Sequence, residues 1–511
     1  MAISTAGDRG DRGNEQHGQH EQHDRRDDSE PIALRLARRI HDLGQAQITA
    51  KALGASRTAI IDTIGVTLAG SAEPCTRILL ETPGIAEAAG SATVFGTNRK
   101  TSALDASFIN GTASHALDYD DFSSPMGGHQ SVPLVAPLLA VAEEQHLSGA
   151  AFIRAYVVGI ETEIRIARAV NFHHYDKGWH PTATLGIFGT VAAVSHLIGL
   201  EVDKTSLALA IAASLASGVK ANFGTMTKPL HIGHSCRNGL LAVLLAQRGF
   251  TANPLAFEHK QGFLNAFNGP GTFDVAKIFD DWAAPLEIES SSLGLKQFPC
   301  CGSTHPAVAM ALLLVHEDRV QPGEITAIHI QSHKRRLPHT DNPNPQTPLA
   351  AKFSVQYAVA RALLDGALRL AHFEGDAHHE PRILEMLAMT RTNAHPDMPE
   401  DSPRQFGAEV SVTLRDGRTL SRRVDDMVGR GGDNPLSGDE LWEKFFDCGK
   451  RALPAAEVMP LYERLESLET VTDLAQITRL LARRALPGNQ GAPAMTFAPA
   501  PGNTLAETWV P

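Results

Sequence analysis

Apolar residues recur at helical spacing through most of the first 270 positions. Ala59, Ile60, Ile61, Ile64, Val66 and Leu68 follow Ser56 and stop at Gly70, which predicts a helix capped by Ser56. Ser131 precedes Leu134, Val135, Leu138, Leu139 and Val141. Ser148 precedes Phe152, Ile153, Tyr156, Val157, Ile160 and Ile164, and both serines are predicted N-caps. Pro181 suits the first turn of a helix that ends at Gly199. Leu207 to Leu215 is apolar nearly all round and predicts a buried central helix, as does Asn238 to Gln247 before Gly249. The breaks between these segments are short, so this half reads as a helical bundle.

The pattern changes after Lys296. Ile325, Ala327 and Ile328-His329-Ile330 predict a short strand. Val410, Val412 and Leu414, then Asp416-Gly417, then Leu420 and Val424 predict a hairpin with an Asp-Gly turn. Helical segments Phe353 to Leu364 and Ile383 to Met389 lie between. Gly429 to Asn434 reads as a return linker, and helical patterns resume from Ser437 to about Leu486. The expected fold class is therefore mainly α: a large all-helical domain (31–295 plus 433–486) with an inserted smaller α+β domain (296–432). Residues 1–30 mix Gly, Asp, Arg, Gln and His and bury too little to fold, so a disordered extension is expected there. Residues 487–511 are rich in Pro, Gly and Ala and read as a loose tail.

Composition narrows the function. With 511 residues and 43% hydrophobic content the chain can bury a large core in two or more domains. A net charge of -11 argues against nucleic acid as a partner. Any anionic substrate must then be held by a local cluster of Lys, Arg and His. No apolar run is long enough to span a bilayer, and the N-terminus has no hydrophobic signal core, so no membrane partner is expected. Five cysteines (Cys75, Cys236, Cys300, Cys301, Cys448) form no CxxC pair, which points to a reducing, cytoplasmic setting. The vicinal Cys300 and Cys301 read as packing residues near a turn. No glycine loop sits in the strand context that binds nucleotide phosphates, and no cysteine triad has iron–sulfur spacing. The expectation is a site with no cofactor and no metal.

The candidate chemistry gathers in four breaks. The first is Asn110 to His129, with His115, Asp118, Asp120, Asp121, Gly127, Gly128 and His129. An imidazole beside a carboxylate is the usual equipment for moving a proton near neutral pH. The paired glycines would let backbone approach a ligand. His115 reads as a structural hydrogen-bonder, and Asp120 and Asp121 as helix caps or solvated groups. The other breaks are Gly178-Trp179-His180-Pro181-Thr182, Met226 to His234 with Lys228 and His231, and Lys296 to Pro306 with His305. Each places a His or Lys at the mouth of an apolar helix. His231 and His234 share a helix face but lack an acidic partner at ligand spacing, and His173-His174 reads as a polar loop.

In this order and spacing the four segments resemble the MmgE/PrpD family, which includes 2-methylcitrate dehydratases, cis-aconitate decarboxylases and an iminodisuccinate epimerase. The resemblance runs from about Pro31 to about Leu486. It implies that the inserted domain is a lid, that the substrate is a small di- or tricarboxylate, and that a homodimer is the working unit. It carries Asp118, His129, His180 and His305 over as catalytic residues. Lys228 is carried over as a partner for a substrate carboxylate, and Lys296 and His231 are expected to bind substrate beside it. The implied reaction is cofactor-independent loss of water after removal of a proton α to a carboxylate. Decarboxylation, epimerisation on the same site, or organic-acid binding without catalysis are the alternatives. The chain departs from the family in two places: His129-Gln130-Ser131 stands where His-Pro-Ser is commoner, and His339 stands where some members carry a lid tyrosine.

Overall fold

The computed structural model describes residues 30–483, apart from 291–292, 402–405, 428–429 and 433. The expected N-terminal extension (save Glu30) and C-terminal tail lie outside the described residues. Two hydrophobic cores organise the rest. The larger gathers Ile32 to Leu293 with Leu436 to Leu481. The smaller gathers Phe298 to Leu414.

The larger core is a stack of helices. Ala50–Gly70, Ala103–His115, Val132–Glu144, Gly149–Val170, Gly186–Leu197 and Thr227–Gln247 pack on one another. Ser148 caps its helix as expected, accepting from the Ala151 N–H. Ser56 does not cap: its helix begins two turns earlier at Ala50, where Thr49 accepts from the Ala52 N–H. The error has a physical cause. The first two turns carry Ala, Lys and Gly on a half-exposed face, so apolar periodicity starts late. Lys228 and His231 likewise lie within the first turns of Thr227–Gln247 rather than in a break before it. The segment from Pro181 is two pieces, Pro181–Thr184 and Gly186–Leu197, with Gly199 in left-handed conformation just after. His173 and His174 sit in a helical turn, His173–Asp176, not a loop. His174 is buried between Asn268 and Thr184.

The smaller core is a four-stranded sheet with helices on its apolar side. Ile325–Ser332 pairs antiparallel with Ala408–Leu414, which pairs antiparallel with Thr419–Val424 through the Asp-Gly turn. Ala408–Leu414 alternates buried and half-buried along its length, as a one-sided sheet requires. Thr390–Ala394 adds a parallel strand beside Ile325–Ser332 that the sequence reading missed. Its residues Thr-Arg-Thr-Asn-Ala carry no apolar alternation.

The two cores meet along a seam. Phe122–Ser123, Leu293–Leu295 and Arg430–Gly431 form a three-stranded sheet built from the Asp118 loop and both interdomain crossings. The stretch read as a linker thus contributes a strand. Glu440 ties the crossings together: it completes a capping box with Ser437, accepts from Arg430 at 2.6 Å and from the Gln297 side chain at 3.0 Å. Beneath the seam, Lys444 of the Gly438–Gly449 helix is buried. Its ammonium meets Asp62 at 2.5 Å and the carbonyls of Tyr119 and Lys296 at 2.9 and 2.7 Å. Burial pushes the Asp62 carboxyl up to about 6 against the opposing pull of Lys444.

Lys444→Met would leave Asp62 and two carbonyls without their cation. The expected cost is ~3–5 kcal/mol, read as a lower thermal midpoint. Adding Asp62→Leu should recover part of it, because the stranded charge is then gone.

Candidate active site

The Ala103–His115 helix ends at a tight turn, and the residues that follow it build the site. Asp118 takes a left-handed backbone, φ 52°. Its Oδ1 meets the ammonium of Lys228 at 2.8 Å and that of Lys296 at 3.1 Å. Lys296 also donates to the Asp118 carbonyl at 2.6 Å, and Lys352 donates to the Leu117 carbonyl at 2.8 Å. Three lysines from three distant segments therefore surround one turn. Burial works to raise the Asp118 carboxyl, but Lys228 and Lys296 hold it well below the usual range.

His129 faces this pair. Its Nδ1 lies 2.7 Å from the Asp121 carbonyl and 2.9 Å from Asp120 Oδ2. Both are acceptors, so Nδ1 carries a proton, and Nε2 points to Asp118 Oδ1 at 3.6 Å. The backbone N–H of His129 donates to Thr182 Oγ1 at 3.1 Å. That contact explains Gly128: a methyl there would stand 2.7 Å from Thr182 Oγ1 and 2.9 Å from its backbone nitrogen. The glycine thus admits a neighbouring loop, not the ligand expected of it.

Asp120 and Asp121 are fully buried, which corrects their reading as caps or solvated groups. Asp120 Oδ2 accepts from both His115 Nδ1 and His129 Nδ1, each at 2.9 Å. Burial would raise Asp120, yet the two imidazoles hold it well below the ordinary range. Asp121 accepts from the Ser131 N–H at 3.2 Å, from Gln130 Nε2 at 2.9 Å and from the Ser131 hydroxyl. Ser131 therefore stands at the head of its helix without capping it: its hydroxyl is committed to Asp121 and to Tyr156, 2.6 Å away. The departure to Gln130 gives Asp121 a side-chain donor that proline could not supply. Burial raises the Asp121 carboxyl well above its usual value.

His115 packs edge-on to His129 with ring centres 4.6 Å apart and lies 5.7 Å from His180. Burial drives its pKa down to about 4, so it is neutral near pH 7 and donates through Nδ1. Its Nε2 has no protein partner among the described residues. His180 begins the Pro181–Thr184 turn. Its N–H is bonded to the Gly218 carbonyl at 3.0 Å, and its Nδ1 lies 3.2 Å from His231 Nδ1. Phe223 meets the His180 ring edge-on at 4.8 Å and lies 5.2 Å below the Lys228 ammonium.

Six of the seven candidate residues, Asp118, His129, His180, Lys228, Lys296 and His231, are thus gathered at one place. His305 is not in direct contact with them. It is buried against Phe298, with Nε2 3.3 Å from the Cys300 carbonyl, and among the described residues no hydrogen bond or ion pair joins it to Asp118, His129 or His180. Burial, then the nearby Lys296 charge, lowers it to about 3. His339 bonds the Ser303 hydroxyl at 2.9 Å. The reading missed Lys352, Lys444 and Phe223, and it passed over Asp120 and Asp121.

Ligand-type atoms of His115, Asp118, Asp120 and His129 lie within 4.8 Å of one another, a set that could hold a metal ion despite the expectation of none. The surrounding charge disfavours a cation. Two ammonium groups already share Asp118 Oδ1, and both imidazole Nδ1 atoms are donors to Asp120. Such a cluster suits an anion better.

A profile of the MmgE/PrpD N-terminal domain matches residues 34–276, and one of the MmgE/PrpD C-terminal domain matches residues 298–466. The cis-aconitate decarboxylase of Mus musculus is 30% identical over 457 residues, covering 87% of this chain and 92% of that protein. The cis-aconitate decarboxylase of Homo sapiens is 31% identical over 461 residues, covering 87% and 93%. The 2-methylcitrate dehydratase of Cupriavidus necator is 26% identical over 403 residues, covering 71% and 79%.

Neutral burial of these imidazoles sets a pH dependence. The unfolded chain takes up protons at histidine near pH ~6.5, whereas folded His115 and His305 do so only near about 4 and about 3. Their contribution to stability is complete above the unfolded value and is lost as pH falls from there toward about 4. Thermal midpoints should drop across that window. A flat profile would show that the rings are not buried in neutral form.

Proposed function

The chain belongs to the MmgE/PrpD family, and from that premise we propose that it is a lyase needing no cofactor that decarboxylates a small tricarboxylate of the cis-aconitate type. The observation that carries this reading is the pair of ammonium groups on Asp118 Oδ1, 3.6 Å from Nε2 of His129. Asp118 acts as a resident anion. A substrate carboxylate can take its place on Lys228 and Lys296, and Lys352 adds a third positive charge beside them.

In the proposed reaction the bond between the substrate carbon and its allylic carboxylate breaks. Its electron pair forms a new terminal C=C and carbon dioxide leaves. The old C=C pair takes a proton at the formerly vinylic carbon. His180 supplies that proton from Nε2. Burial, with His115 and Lys228 adding to it, keeps His180 neutral, and a neutral imidazole in such a setting can still serve as an acid. The lysines offset negative charge spread over the allyl system.

Dehydration of a 2-methylcitrate-type acid, the first reading drawn from the sequence, ranks second. Its support is the Cupriavidus relative, which is less similar over a shorter stretch. The same residues suit it: His129 would take the α proton at Nε2, and His180 would protonate the departing hydroxyl.

A panel of di- and tricarboxylates incubated with the protein in deuterated water separates the readings by NMR. Carbon dioxide with terminal methylene signals and one deuteron on the formerly vinylic carbon, now a saturated CHD beside its carboxylate, is the expected result from cis-aconitate. New alkene signals from 2-methylcitrate without carbon dioxide would move dehydration to first place, and an inert panel would end both. Lys228→Ala should raise KM and lower kcat, with kcat/KM down ~10–100-fold for a lost charge-assisted contact. Unchanged kinetics would remove Lys228 from the site.

A further inference from the structure

His231 is expected from the sequence to bind substrate, but its surroundings point to a different task. Its Nδ1 lies 3.2 Å from His180 Nδ1. Such a contact needs one N–H and one lone pair. The titratable groups facing His180 are His115, Lys228, His129 and His231, and those facing His231 are His234 and Lys228. None is a carboxylate and one is a permanent cation, so the pair holds no extra proton. Two protons are then shared among four nitrogens. One occupies the Nδ1–Nδ1 bond, so only one of the two outer Nε2 atoms can bear the other.

A single residue also touches both histidines. Gly218, at φ 126°, lies against the His231 ring, where a methyl would stand 3.2 Å from Cγ and 3.3 Å from Nδ1. The carbonyl of that glycine accepts the His180 backbone N–H at 3.0 Å. Phe223 blocks another edge of His180. His180 Nε2 is buried with no protein partner among the described residues, so nothing else in that setting selects its protonation.

We propose that His231 is a positioning residue: it donates its Nδ1–H to His180 Nδ1 and so keeps the His180 proton on Nε2, where the acid is needed. The donor direction rests on the acid role of His180 given above. It predicts one tautomer for each ring: His180 protonated on Nε2, His231 on Nδ1.

The test has a structural arm and a kinetic arm, both on the full-length protein. Long-range proton–nitrogen NMR of protein carrying ¹⁵N-histidine reads the tautomers with no substrate present; His180→Asn identifies the His180 signals. A bare Nδ1 and protonated Nε2 in the natural protein, giving way to mixed tautomers in His231→Leu, is the expected result. His180 protonated on Nδ1 would overturn the proposal whatever the reaction. Kinetics use whichever acid the panel shows to be turned over. His231→Leu should lower kcat ~10–100-fold with KM changed less than about threefold, and His231→Gln, whose amide can donate to Nδ1, should regain most of the loss. A raised KM at unchanged kcat would make His231 a substrate ligand instead. Equal losses in the Leu and Gln variants would end the donor role. If no acid is turned over, the reaction assignment fails while the tautomer spectra still decide this point.

Discussion

One buried ammonium holds the architecture to the chemistry. Lys444 arrives on a helix near the end of the chain and meets Asp62 on a helix near its start. It also donates to the carbonyls of Tyr119 and Lys296, the immediate neighbour of Asp118 and one of the lysines bonded to it. Asp118 and Lys296 are 178 residues apart, yet the carbonyl next to the first and that of the second are held by the same cation. A buried charge is retained only when it is paired and hydrogen-bonded, so the site loop cannot shift without leaving Lys444, Asp62 or a carbonyl unsatisfied. The three-stranded seam adds backbone pairing to that constraint. Lys296, where the chain crosses toward the smaller core, is therefore tied to the imidazoles on the helical side.

Local charge runs opposite to global charge. The chain is acidic overall, at -11, but Asp118 is surrounded by Lys228, Lys296 and Lys352, with His129 and His115 beside it. The acids inside this region are each matched to donors: Asp118 to two ammonium groups, Asp120 to two imidazoles, Asp121 to Ser131 and Gln130. His115, His180 and His231 stay neutral because burial and the Lys228 charge both oppose a further proton. A field built this way attracts an anion while leaving the rings free to give or take single protons.

The helices, the hairpin and the two-body plan were legible because each has a period that sequence displays: 3.6 for the helices, 2 for Ala408–Leu414. Thr390–Ala394 was hidden because a polar edge strand has no such period. Its place comes from pairing with Ile325–Ser332, which is a tertiary fact. The same distinction runs through the site. Asp118, His129, His180 and Lys228 could be picked out because their motifs resemble a family's. Asp120 and Asp121 adjoin Asp118 in sequence, and two adjacent carboxylates look like a solvated pair. Only the fold brings His115, Gln130 and Ser131 to them as donors. Lys444 gave no local signal at all, since it lies on an amphipathic helix where a lysine ordinarily faces water. His305 shows the converse: its motif resembles that of an active-site residue, while its contacts are with Phe298 and the Cys300 carbonyl.

The arrangement also bears on how one scaffold can serve different reactions. Elimination of water, loss of carbon dioxide and epimerisation all pass through a carbanion-like centre beside a carboxylate, so all need the cations that Lys228 and Lys296 supply. They differ in where protons enter and leave. In the proposed reaction that choice lies in the tautomers of His129 and His180, whose Nδ1 atoms meet Asp120 and the Asp121 carbonyl in the first case and His231 in the second. Asp121 is itself held by Gln130, a residue at which the chain departs from the commoner motif. Exchange of residues one layer back can therefore redirect proton traffic while leaving the substrate-facing set unchanged. That is the level at which members sharing these motifs can diverge in chemistry.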